Sequence, residues 1–235
     1  MSFLTVVPAA TADGAPGTRL GRAYFPLIGA LVGLAAGAVF AVLTLFSAPL
    51  ISAVLAVATL VLLTGALHLD GLADAADGLL GKGDVEQRLA SMRDPRVGVY
   101  GAAAVVLVLL GEVAALSGMS ARIAIVALVV AGAASRLAML AVVAYVPYVR
   151  TAGLGVAATG DHRRFDVLLG TALTLIACLL DFRHALLGML FVAITSLAIV
   201  ALARRRIGGA TGDVYGAVAE VGQLAALVAF TFGVG

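Results

Sequence analysis

The sequence predicts an all-α fold, a polytopic integral membrane bundle of about seven transmembrane helices. Three observations predict it. Apolar residues (AVILMFWYC) make up 63% of the 235 residues, and 28 glycines add to them. Only 12% of positions are Asp, Glu, Lys or Arg, against about 25% in a soluble domain. Long runs of Ala, Leu, Val and Gly recur without the alternation of a barrel strand, so helices are the spanning element. So few charges cannot cover a soluble core, which excludes a soluble enzyme, a disordered chain and a disulfide-rich secreted domain. The net charge of +2 comes with no Trp, no dense basic face and no base-reading motif, so no nucleic-acid partner is expected. Cys178, the single cysteine, lies in an apolar run with no partner in the chain.

A span needs about 20 residues. The sequence offers seven, near 25–46, 50–67, 99–116, 123–146, 167–180, 185–202 and 214–232. The run at 167 is short, and the one at 214 carries Glu220 and Gln223. The first is read as a retained helix, because its apolar run exceeds the ~7–15 residues of a signal-peptide core. Its Gly29, Gly33 and Gly37 form one small-residue face suited to close helix contact. With the N-terminus on the cytoplasmic side, Arg19, Arg22, Lys82, Arg88, Arg93, Arg96, Arg150, Arg163, Arg164, Arg204, Arg205 and Arg206 fall on that side. Arg122 and Arg183 fall opposite, and Arg136 lies inside a span. Twelve against two is a strong positive-inside bias. The expected organisation is one membrane-embedded domain over 1–235, with cytoplasmic loops near 68–98, 148–166 and 204–213.

The first polar block is His68-Leu69-Asp70-Gly71-Leu72-Ala73-Asp74-Ala75-Ala76-Asp77-Gly78. The i, i+4, i+7 spacing of Asp70, Asp74 and Asp77 places all three carboxylates on one helical face. Their repulsion at a membrane boundary calls for a cation, and Mg²⁺ suits carboxylate oxygens. A solvated acidic loop and a cation-transport site are the competing readings. His68 either bonds a carboxylate or phosphate or simply ends the helix.

The second block is Met92-Arg93-Asp94-Pro95-Arg96-Val97-Gly98-Val99-Tyr100-Gly101. Arg93 and Arg96 have the forked guanidinium that grips phosphate, and alternatively they anchor the span. Asp94 is either a further metal ligand or an arginine's partner. Gly98 and Gly101 permit close backbone approach. Arg136 either pairs with Glu112 or reaches a substrate phosphate. In the last block, Gly208-Gly209-Ala210-Thr211-Gly212-Asp213, an anion nest and helix capping by Thr211 or Asp213 are alternatives. Every block falls on the predicted cytoplasmic side.

Taken together, these residues resemble the cobalamin synthase family, the adenosylcobinamide-GDP ribazoletransferases. The resemblance is carried by His68-Leu69-Asp70-Gly71-Leu72-Ala73-Asp74 with Asp77-Gly78, by Met92-Arg93-Asp94 with Arg96-Val97-Gly98 and Gly101, and by Gly153-Leu154-Gly155. Gly208-Gly209-Ala210-Thr211-Gly212-Asp213 with Gly216 and Glu220, and the Phe25-Pro26-Leu27-Ile28-Gly29 entry, complete it. It covers essentially the whole chain.

The resemblance implies that α-ribazole, or its 5′-phosphate, is joined to adenosylcobinamide-GDP with release of GMP. It further implies Mg²⁺ dependence, a bacterial inner membrane and an active site facing the cytoplasm. On that reading Asp70, Asp74 and Asp77 form the metal-binding core, with Asp77 alternatively accepting the hydroxyl proton. Arg93 and Arg96 hold phosphates, and Asp213 completes the polar shell. The partners are the two substrates and the lipid bilayer, with a homo-oligomer left open. A carboxylate-lined transporter and a structural membrane subunit are the alternatives.

Overall fold

The computed structural model describes residues 21–150 and 163–232, together with Leu4. After a short 3-10 turn at Arg22–Tyr24 come α1 (Phe25–Leu43), α2 (Pro49–Thr64), α3 (Leu67–Leu80) and α4 (Val85–Ser91). They are followed by α5 (Val99–Ser117), α6 (Ala121–Tyr145), α7 (Arg163–Cys178), α8 (Phe182–Ile207) and α9 (Gly212–Ala229). Among the described residues the only β-type pairing is an isolated parallel bridge between Tyr148 and Ala210.

Local chemistry explains the boundaries. Pro26 and Pro49 sit in the first turns of α1 and α2, where no N–H is needed. Ser120, Asp181 and Thr211 each accept a backbone N–H three residues on, opening α6, α8 and α9. Asp84 and Gln87 form a reciprocal capping box on α4. Gly208, at φ +82°, closes α8 in the left-handed region.

Each of the seven predicted spans holds a helix, but the helices differ in span quality. Among the described residues four helices, α1, α5, α6 and α8, are long and apolar enough to cross a membrane, whereas α7 and α9, at the predicted spans 167–180 and 214–232, are not. The predicted span at 50–67 is corrected: α2 ends at Thr64, and Gly65 (φ +61°) and Ala66 (φ +57°) are both left-handed. The chain turns there by 90° into α3, so α2 passes the test for a span only as half of a bent pair. The inter-span stretch near 68–98 is thus largely helical, holding α3 and α4.

The bundle is apolar outside as well as inside. Leu31, Leu62, Leu107, Leu110, Leu190 and Leu197 are all exposed, which suits lipid rather than water. Its spine is α1 against α6. A Cβ on Gly29 would overlap the Gly132 carbonyl, and one on Gly33 the Leu128 carbonyl. The predicted glycine face therefore brings two backbones together. Helix α9 packs against α3, α6 and α8, so its N-terminal end meets the acidic helix.

Candidate active site

Helix α3 is buried on every side but one. His68, Leu69, Gly71, Leu72, Ala73, Ala75, Ala76, Gly78 and Leu79 are buried, while Asp70 is exposed and Asp74 and Asp77 are half-buried. The i, i+4, i+7 spacing thus produces one open acidic stripe on an otherwise enclosed helix. Small residues let the neighbours close in. Gly71 faces the backbone of Asp213 and Gly216, and Gly216 faces the carbonyl of His68.

That contact delivers a fourth carboxylate. Thr211 caps α9 and donates to Asp213 Oδ2 at 3.1 Å. Arg150 pairs with Asp213 at 2.8 Å, and it also reaches the Met92 carbonyl at 3.4 Å. The Tyr148–Ala210 bridge holds the two segments together: Ala210 N donates to Pro147 O at 2.8 Å and Val149 N to Ala210 O at 3.0 Å. Burial and the charges of Asp213, Asp70 and Asp77 push the Asp74 carboxyl up to about 6, against the opposing pull of Arg150. Burial also raises Asp213, with Arg150 pulling it down.

Asp77 has a second task. Its Oδ2 accepts from Gly98 N at 2.7 Å and its Oδ1 from Gly101 N at 2.9 Å. A Cβ at Gly98 would lie 2.5 Å from Asp77 Oδ1. The two glycines allow close approach as the sequence suggested, and what approaches is the chain's own carboxylate. Asp77 thereby caps α5, supplying the oxygen that Gly98 has no side chain to provide.

Asp94 pairs with Arg96, whose Nε and Nη2 donate to Oδ1 and Oδ2 at 2.9 and 2.8 Å. The pair holds the Asp94 carboxyl well below its ordinary value. This fits the second of the two readings of Asp94. With Asp77, Lys82, Gly98 and Tyr100, the pair lines a cleft of about 490 Å³. Arg93 is exposed, and its side chain makes no ion pair among the described residues. The structure therefore gathers Asp70, Asp74 and Asp213 around Arg150, and Asp77 with Arg96 in the adjoining cleft. It leaves Arg93 outside both. Gly153-Leu154-Gly155 and Gly160-Asp161-His162 lie outside the described residues.

Two arginines carry more of the structure than their anchoring role suggested. Buried Arg88 donates to the carbonyls of Gly78 (3.0 Å), Leu79 (3.0 Å), Gly81 (2.7 Å) and Gly83 (3.0 Å). It closes the C-terminal end of α3. Arg150 neutralises Asp213. Both counted only toward topology in the sequence. Arg88 had one available signal: it lies one helical turn after the Asp84 cap, behind the glycines at 81 and 83.

Inside the bundle a separate polar chain is sealed from solvent. Arg136 donates to Ser135 Oγ and Gln223 Oε1, and Gln223 Nε2 donates to Glu112 Oε1 at 2.9 Å. Glu220 Oε1 is 3.9 Å from both Arg136 Nη2 and His68 Nδ1. Of the two readings of Arg136, the structure shows the link to Glu112, made through Gln223, and the group facing His68 is Glu220.

Mg²⁺ is the ion expected at these donors. Among the described residues no three His, Cys, Asp or Glu groups are placed to hold an ion by themselves. Mg²⁺ seldom needs such a cage: one or two carboxylates plus substrate phosphates usually suffice. Asp70, Asp74 and Asp213 are hard oxygen donors whose charges burden one another, so the donor set fits.

Comparisons with known proteins identify the family. The family model for cobalamin-5-phosphate synthase matches residues 1–231. The adenosylcobinamide-GDP ribazoletransferases of Escherichia coli K12 and of Escherichia coli O139:H28 are each 35% identical to the chain over 237 residues. Each comparison covers 97% of this chain and 96% of the relative. No solved structure matches the chain. Family match and relatives together show that the chain belongs to the cobalamin-5-phosphate synthase family.

Proposed function

We propose that this protein joins α-ribazole, or α-ribazole 5′-phosphate, to adenosylcobinamide-GDP and releases GMP. The products are adenosylcobalamin, or its 5′-phosphate, and GMP. The observation that carries this reading is the open acidic stripe of α3 apposed to the Asp213–Arg150 pair, in a chain of this family.

A ribose hydroxyl oxygen attacks the phosphorus attached to cobinamide. The bond from that phosphorus to the oxygen bridging to GMP breaks, and its electron pair leaves with GMP. Asp70, Asp74 and Asp213 would hold Mg²⁺, which when bound neutralises charge on the diphosphate and on the departing phosphate. The hydroxyl proton goes to Asp74 when Asp70 and Asp213 alone hold the metal. Asp77 fixes the edge of the site through α5 rather than moving with substrate. Arg96 sits exposed on the cleft rim and can turn from Asp94 to a phosphate. Arg93 is the second, unpaired guanidinium at that end.

The membrane is the bacterial inner membrane, and the acidic stripe faces the cytoplasm. The twelve-to-two distribution of basic residues supports that orientation, as does a substrate carrying a nucleoside diphosphate. The whole chain acts as one domain.

The test is GMP release and corrinoid joining by purified, detergent-solubilised protein, with Mg²⁺ or with EDTA. Both products forming together only with metal is the expected result. A well-folded protein that turns over neither form of ribazole would move the reading to transport.

A further inference from the structure

The cleft beside the acidic stripe, about 490 Å³, has the size of a small-molecule site. Two sets of hydrogen bonds fix its walls. Arg88 ties the turn after α3 through the carbonyls of Gly78, Leu79, Gly81 and Gly83. Asp77 ties α3 to the start of α5 through the amides of Gly98 and Gly101. Both of those charges are spent on backbone. Among the groups left to a ligand are Lys82, Tyr100 and the Asp94–Arg96 pair. All four side chains are open to solvent: Lys82, Arg96 and Tyr100 are exposed, and Asp94 exposes 34% of its side chain.

The two cations suit phosphate oxygens, and the carboxylate does not. Asp94 is ionised, because Arg96 holds its carboxyl well below the ordinary value, and an ionised carboxylate only accepts hydrogen bonds. Its ligand must therefore offer N–H groups. Arg96 already shows the shape required, since its Nε and Nη2 donate side by side to Oδ1 and Oδ2 at 2.9 and 2.8 Å. Guanine carries the same fork. Its N1–H and its 2-amino group flank one carbon, as two nitrogens do in a guanidinium. Adenine and cytosine present a ring-nitrogen acceptor at that edge, and uracil flanks its one N–H with carbonyls. The free ring nitrogen of a benzimidazole is an acceptor too.

We propose that this cleft is the subsite for the guanosine half of adenosylcobinamide-GDP, and that Asp94 selects the base by accepting from guanine N1 and N2. Guanine takes the place of the Arg96 fork, and Arg96 turns with Lys82 to the phosphates. An exposed ion pair is held weakly, so the exchange costs little. The exposed Tyr100 ring gives the base a face to stack on. Asp77, on the cleft wall, lies one helical turn from Asp74, so the diphosphate meets the acidic stripe and GMP departs through the cleft. The proposal rests on the transferase reading and adds how its nucleotide is recognised.

The test is direct binding of GMP, AMP, IMP and XMP to full-length protein, as wild type and as Asp94→Asn. Steady-state kinetics with adenosylcobinamide-GDP run beside it. The wild type should bind GMP at least about tenfold more tightly than AMP or IMP, since IMP lacks the 2-amino group. An Asn amide accepts from N1–H and donates to the 2-oxo group of xanthine. Asp94→Asn should therefore lose GMP and gain XMP, a change of preference that a purely structural role would not produce. Tyr100→Ala should raise the KM for adenosylcobinamide-GDP about tenfold and leave the order of the bases intact. A wild type that binds GMP and AMP alike overturns the proposal, and so does an Asp94→Asn protein with the wild-type preference. A variant that loses GMP without gaining XMP also overturns it, leaving Asp94 as a partner of Arg96 only. In each of these cases a wild type that still joins its substrates keeps the transferase reading. A preference set by Asp94 in a protein that never releases GMP from adenosylcobinamide-GDP does the reverse.

Discussion

Two carboxylate clusters share the same pair of helices. On α9, Asp213 lies in the open acidic face, and Glu220, two turns deeper, lies in the sealed chain. On α3, Asp70 and His68 divide the same way. In the sealed chain, most polar atoms meet a partner from another helix: Arg136, Gln223 and Glu112 connect α6, α9 and α5. In the open face the carboxylates crowd one another, and Asp213 is the one carboxylate that Arg150 pairs with among the described residues. Charges sealed in a bundle are tolerated when they bind helices together. Charges left mutually repelling at an opening are available to a ligand, and holding them there is what the rest of the bundle does.

The comparison breaks most visibly at Arg136. Arg136→Met leaves Glu112 and Glu220 without their cation and should destabilise the fold by ~3–5 kcal/mol. The measurement is unfolding in mixed micelles, and adding Glu220→Gln should recover part of the loss. At the open face, Asp74→Asn should cost stability little but lower GMP release on the order of 10²- to 10³-fold, the scale of losing one preorganised electrostatic contact. Comparable stability losses in both variants would erase the distinction.

Between these extremes, Gly98→Ala pushes a methyl against the Asp77 carboxylate. It should destabilise by ~1–3 kcal/mol, and the same melting curves would register it. The smallest effect sharpens the contrast through pH. The native chain holds the Asp74 proton more tightly than the unfolded chain does, so ionising it works against folding. In EDTA, the Asp74 contribution to stability should fall as pH rises from 3.8 to about 6. Melting temperatures across that range should show the slope, and Asp74→Asn should flatten it.

How legible the molecule was depends on where each signal lies. Apolar run length marked the helices, and the spacing of Asp70, Asp74 and Asp77 gave the shared face, because both are local properties of one helix. The glycine face of α1 was readable, but its partner was not, since Gly132 has no spacing that names α1. The backbone partners of Asp77 were hidden for the same reason. Its spacing matches that of the other two acids, and only the fold brings Gly98 and Gly101 to it. The turn after Thr64 hid because Ala66 is an unusual left-handed residue. The acidic spacing marked α3 as a helical face, but nothing in it gave the angle at which that helix leaves α2.

That turn has a mechanical consequence. A pair of glycines at 65 and 66 would reach the left-handed region freely and make a loose joint. Ala66 reaches it against a steric penalty of ~1–2 kcal/mol, and its methyl group forbids most other settings. The elbow is stiff by construction. It sets the 90° angle at which the acidic stripe leaves α2, much as a bracket holds a shelf.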